Sequence, residues 1–189
     1  MHFIRMITYV IFASLLIACT TQPSHLIVSP ELMNVAPVNY HEKSATLTVN
    51  DLRVGNQIIQ IQQNDDEVLT LISASERLEN TVSKTLTTHW QKQGLALTDL
   101  ATNKITITIK KALIEVKQQL LKHSAKNSFV IQIEVNNGEK TLTTEYKSTN
   151  IEESPLRADV AALTLDFNQR LSSALTWILN NKEIQQFIK

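Results

Sequence analysis

The sequence predicts an α+β domain: a mainly antiparallel sheet of about four strands, with two long helices packed on one face. Three observations carry this. Residues 129–136 alternate strictly, with Phe129, Ile131, Ile133 and Val135 on one side, and Asn137-Gly138 follows at once. Apolar residues recur every three or four positions in two long stretches, one before and one after this hairpin. The order of elements is then strands, helix, strand, hairpin, helix, which is most economically packed as helices on a sheet.

The first strand is expected over 45–53, where Leu47 and Val49 alternate with Thr46, Thr48 and Asn50. A ribbon of 58–62 with 67–71 follows, turning through Asn64-Asp65-Asp66. The first helix is expected over 75–93. Leu78, Val82, Leu86 and Trp90 form its apolar stripe, Ser73 with Glu76 offers a capping box, and Gly94 suits a left-handed C-terminal cap. Residues 104–121 read as one long strand. Ile105, Ile107 and Ile109 carry one parity and Ala112, Ile114 and Val116 the other, which predicts a β-bulge at Lys110-Lys111. A helix over 110–123 is the competing reading, and the strand is preferred.

Asn-Gly is the strongest short hairpin signal. A two-residue turn there pairs Asn136 with Glu139, Ile133 with Leu142, Ile131 with Thr144 and Phe129 with Tyr146, all of the last three on one face. Strands 104–121, 129–136 and 139–148 would form a meander. Ser154-Pro155 is expected to open the second helix, with a stripe from Leu156 through Val160, Leu163, Phe167, Leu171 and Ala174 to Ile178. Asn180-Asn181 breaks it, and 183–189 suits a last helical turn.

The domain does not begin at residue 1. Arg5 precedes a short apolar run, 7–16, that ends in Leu16-Ile17-Ala18-Cys19. The run is too short for a transmembrane helix, which needs about 20 apolar residues, and has the layout of a secretory signal. Its last four residues resemble a bacterial lipobox. The resemblance implies cleavage between Ala18 and Cys19, followed by thioether lipidation and acylation (palmitate among the chains) of Cys19. Three acyl chains anchor far more strongly than one. Thr20, where an Asp would favour the inner membrane in enteric-type bacteria, points to the inner leaflet of the outer membrane, facing the periplasm. Residues 19–42, with Pro23, Pro30 and Pro37, read as a lipidated tether of up to roughly 75 Å, and 43–189 as a single periplasmic domain.

Removing residues 1–18 from the 189 leaves 171, enough for one core. Arg5 is the only charge lost from 18 basic and 18 acidic side chains, so the balance is near neutral and gives no reason to expect nucleic acid. The single cysteine is committed to lipid, so no internal disulfide is expected. Gly55, Gly94 and Gly138 do not cluster into a phosphate-binding loop.

Candidate chemistry is sparse. His25, His41, His89 and His123 are scattered without metal-ligand spacing. No serine sits in a Gly-x-Ser-x-Gly elbow. Asp65-Asp66-Glu67 lacks the rest of a calcium loop. No enzyme activity, cofactor or metal is therefore expected. Asp51 and Arg53 leave one strand on the same side and suit an ion pair or a partner contact. Lys110 and Lys111, with Lys117, Lys122 and Lys126, suit an anionic lipid surface or edge protection.

The lipobox at Cys19, Val28-Ser29-Pro30, Asp51-x-Arg53, the serine-rich entry to the first helix, Asn137-Gly138 and Phe187-Ile188-Lys189 together make the chain similar to the YajG-type lipoproteins of Gram-negative bacteria. That family is described as uncharacterised and has no agreed catalytic residues, so none is carried over. The expectation is a non-enzymatic outer-membrane lipoprotein, anchored through Cys19 and binding an envelope protein, with Asp51, Arg53, Lys110 and Lys111 as candidate partner contacts. The alternative is a carrier of lipid or another amphiphile between helices and sheet.

Overall fold

The computed structural model describes residues 25–63 and 69–188. The expectations placed on Ala18, Cys19 and the 64–66 turn lie outside these residues. The described residues form an eight-stranded mixed sheet and three helices. The order begins with a two-residue strand, β1 (His25–Leu26), then β2 (Ser44–Asp51), β3 (Gln57–Gln63) and β4 (Leu69–Ala74). Helix α1 (Leu78–Lys92) and the short β5 (Ala96–Leu97) lead into three long strands: β6 (Asn103–Gln118), β7 (Lys122–Asn136) and β8 (Thr141–Pro155). Helices α2 (Val160–Asn180) and α3 (Lys182–Phe187) close the chain.

This corrects the expected fold class. The described sheet has twice the expected strands and is mixed: the expected antiparallel meander forms as β6, β7 and β8, but parallel pairs flank it, and a third helix is present. β6 pairs antiparallel with β7 along one edge. On its other edge it pairs parallel with β2 over Asn103–Ile109, then parallel with β3 over Ile114–Gln118. Parallel neighbours need a long crossover, and the chain supplies one: α1 lies between the β2–β4 stretch and β6. Alternation has the same period in parallel and antiparallel strands, so the sequence pattern did not distinguish them.

The sheet is thus forked. One tine is β3–β4–β1 and the other β2–β5, both rooted on β6, with β7 and β8 beyond. The bulge forms where expected, with the β6–β7 register shifting between Ile109 and Lys111. It keeps Ile105, Ile107 and Ile109, then Ala112, Ile114 and Val116, buried on one face. Ala45, Ile59, Ile72, Phe129, Ile131 and Ile133 are buried with them. Each fully buried aliphatic of this kind contributes about 1.5–3 kcal/mol over an exposed one.

The α1 stripe of Leu78, Val82, Leu86 and Trp90 is fully buried. The helix starts later than expected, after Arg77, with no side-chain cap. Ser73 is unavailable for capping because β4 holds it in the sheet, opposite Gln57 and His25. The C-terminus closes as a Schellman motif: Leu95 N–H donates to Trp90 O and Gly94 N–H to Gln91 O, with Gly94 at φ +85°.

The β7–β8 hairpin has a four-residue loop instead of the expected two-residue turn. Asn137 N–H donates to Lys140 O, and the Asn137 Oδ1 accepts from both Glu139 N–H and Lys140 N–H. Asn136 therefore faces Thr141, Ile133 faces Thr144 and Ile131 faces Tyr146. The register has moved by two, which leaves every side chain on its expected face. Ser154 and Pro155 end β8 and do not open a helix. Asp159 caps α2 instead, its Oδ1 accepting from Ala161 N–H.

Residues 27–43 cross the helical layer as a strap. Ser29 N–H donates to Asn168 Oδ1 and Ala36 N–H to Asn180 Oδ1. The Gln93 amide donates to Ala36 O, Tyr40 is buried, and Lys43 Nζ donates to Ile188 O.

Candidate interaction site at the sheet fork

The fork brings together the four polar residues singled out in the sequence. β2 ends at Asp51 opposite Ile109, and β3 takes over with Ile59 opposite Ile114. Residues 52–56 bridge the two strands, across from the bulge. Arg53 turns back into the gap. Its Nη2 lies 2.7 Å from Asp51 Oδ2 and its Nε 3.0 Å from Asp51 Oδ1, while Nη1 donates to Gln57 O at 3.0 Å and Ala112 O at 3.2 Å. Both side chains are nearly buried, at 7% and 10% exposure. The pair fills the place a continuous strand would occupy: its donors meet carbonyls that have no ladder partner there.

Lys110 and Lys111 border the 52–57 segment from the solvent side of β6. A bulge places two successive side chains on one side of a strand, and both lysines leave the core face. Lys110 pairs with Glu145 of β8 at 3.0 Å and Lys111 with Glu115 at 3.2 Å, all four about 40% exposed. Such exposed pairs contribute little energy. β6 is an interior strand, so these lysines guard no edge.

Sequence reasoning missed two features. The tip of the 52–56 loop presents Leu52 and Val54 to solvent, at 68% and 107% exposure. Two aliphatics in a polar loop of Arg, Gly and Asn were the available signal. Second, β8 is paired only with β7 among the described residues, so its far edge is free along its length.

Elsewhere, no group of three or more His, Cys, Asp or Glu side chains among the described residues is arranged to hold a metal. His89 is half-buried near the end of α1. Its pKa is held below the ordinary value, by burial first and the Lys92 charge second. No described helix is long and apolar enough to cross a membrane.

A family model described as an uncharacterized lipoprotein matches residues 30–189. This chain belongs to that lipoprotein family. Among curated proteins, none matches the lipoprotein. A solved structure from Xanthomonas campestris, of family DUF330, is similar to it, with a TM-score of 0.58 and 12% identity over 85% of this chain and 96% of that one. At that identity the likeness speaks for the fold alone. A putative neuraminyllactose-binding hemagglutinin homolog from Helicobacter pylori is more distant, with a TM-score of 0.47 and 10% identity over 84% of this chain and 92% of that one.

Proposed function

We propose that this lipoprotein is a non-enzymatic component of the outer membrane, held in the inner leaflet by acylated Cys19, and that it recruits an envelope protein by strand addition to β8. One observation carries the reading. β8 pairs with β7 through 15 residues without a register shift, and its other edge has no partner among the described residues. Free edges of this length are usually blunted by a bulge, an internal proline, shortness or charged side chains. β8 has only the charges, among them Glu145 and Lys147, as Pro155 is its last residue. An extended segment laid there gains main-chain hydrogen bonds for affinity, and alternate side chains such as Glu145, Lys147 and Thr149 supply selectivity. Family membership supports the anchor. The carrier alternative gains no such support: Phe129, Phe167, Leu171 and Trp90 fill the space between helices and sheet.

The test is photo-crosslinking in cells, with probes at Thr143, Glu145, Lys147 and Thr149, in wild type and Cys19→Ala. A discrete protein adduct that is lost in the unlipidated variant is the expected result. Adducts to lipid or glycan alone would overturn the reading.

A further inference from the structure

We infer that the lipoprotein rests on its own bilayer through the 52–56 loop, with Leu52 and Val54 entering the membrane interface. This rests on the lipid-anchored reading. Three observations lead to it.

The first is reach. Six residue steps separate Cys19 from His25, which span at most about 20 Å. His25 is fixed in the sheet opposite Ser73, and Ser73 lies opposite Gln57 at the foot of the loop. Two strand spacings amount to about 10 Å. The pinned strap beyond His25 adds no slack. The loop therefore lies within a short distance of wherever the acyl chains are seated, instead of on a domain held roughly 75 Å away.

The second is the surface itself. Leu52 and Val54 are both strongly exposed. The backbone that carries them is clamped: Leu52 N–H donates to Ile109 O, Arg53 N–H to Asp51 Oδ1, and the Arg53 guanidinium to Gln57 O and Ala112 O. A rigid loop presents apolar side chains without an ordering cost at the moment of contact. With the anchor on a short spacer, the local concentration of bilayer is high, so a small apolar contact is enough to orient the domain.

The third is charge. The cations around the loop are matched: Arg53 by Asp51, Arg77 by Glu79, Lys110 by Glu145 and Lys111 by Glu115. A neutral rim with aliphatic tips suits the boundary between headgroups and acyl chains, and makes the contact nearly independent of anionic lipid content.

The experiment uses the mature, lipidated chain in vesicles of phosphatidylethanolamine and phosphatidylglycerol. Cys19 carries lipid as a thioether, so Val54→Cys supplies the one reactive thiol for an environment-sensitive fluorophore. Leu100→Cys is the control: Leu100 is 95% exposed and precedes β6, whose seven residue steps from Asn103 to Lys110 span about 23 Å. The label at 54 is expected to shift to the blue and to be quenched several-fold more by lipid-borne quenchers than the label at 100. Adding Leu52→Asp should remove that difference without moving the unfolding midpoint. Equal, water-like signals at both positions would overturn the inference. Acylation is read separately by mass spectrometry of the N-terminal peptide. An unacylated Cys19 sinks the anchored reading, whereas an acylated chain with a water-like Val54 sinks only the docking.

Discussion

Arg53 donates to the carbonyl of Ala112, 59 residues further along the chain, at 3.2 Å. This contact holds the fork together. β2 and β3 abut end to end on one edge of β6, and the guanidinium completes the hydrogen bonding that neither strand reaches. Arg53→Met removes it and strands the Asp51 carboxylate in a nearly buried position. Breaking such a pair from one side costs about 3 kcal/mol. Arg53→Lys should recover little, because an ammonium cannot serve Asp51 and two carbonyls in a planar fork. The urea midpoint of each variant measures this, and the double variant Asp51→Ala/Arg53→Met should lose less than the two single variants summed.

Tyr40 is the buried aromatic side chain of the strap. Burial pushes its phenol up to about 12, and the neighbouring Trp90 indole pulls slightly the other way. An unfolded chain ionises near 10. Between these values the native state keeps a proton that the unfolded state has lost, so stability falls as pH rises. The contribution is intact below about pH 10 and declines by about 2–3 kcal/mol on approaching pH 12. Unfolding free energy measured against pH should show this slope, and Tyr40→Phe should flatten it. An unchanged slope in Tyr40→Phe would assign it to another group.

Asn127 is 1% exposed on β7, and neither end of its amide has a hydrogen-bond partner among the described residues. Its register neighbours are Ile114 and Asn150. A buried amide left unpaired costs about 1–3 kcal/mol. Asn127→Val replaces it with a β-branched side chain suited to a strand and should raise stability by about 1 kcal/mol. Thermal or urea unfolding decides it; a destabilised variant would mean that an ordered water satisfies the amide.

The local elements were legible because each is written in periodicity. Leu78, Val82, Leu86 and Trp90 announced α1, and the parity change at Lys110-Lys111 announced the bulge. Asn137-Gly138 announced a hairpin, but the Asn137 side chain, by accepting from Glu139 and Lys140 N–H, widened the loop and moved the register. What stayed illegible was long-range. Alternation in 45–51 and 57–63 does not say that both segments lie parallel on one edge of β6. Asp51 and Arg53 were legible as a pair, yet their carbonyl partners at Gln57 and Ala112 depend on that topology. Pro23, Pro30 and Pro37 read as a tether, whereas the amides that pin residues 29–36 come from Asn168 and Asn180, far along the chain.

Asn180 grips the strap with both ends of its side chain: Nδ2 donates to Asn34 O at 3.0 Å, and Oδ1 accepts from Ala36 N–H at 2.8 Å. This imitates one rung of a β-ladder, made by a side chain near the end of α2. Asn180→Ala leaves both backbone groups to find water, at a cost of about 1–2 kcal/mol. Asn180→Asp keeps the acceptor and loses the donor, so it should fall between. Because the strap opens without the sheet, local exchange should respond more than global stability. Amide hydrogen exchange at Ala36 should accelerate about tenfold in Asn180→Ala, while the amides of Ile107 and Ile131 keep their protection. If all three accelerate together, the strap is part of the global unfolding unit and not a locally opening segment.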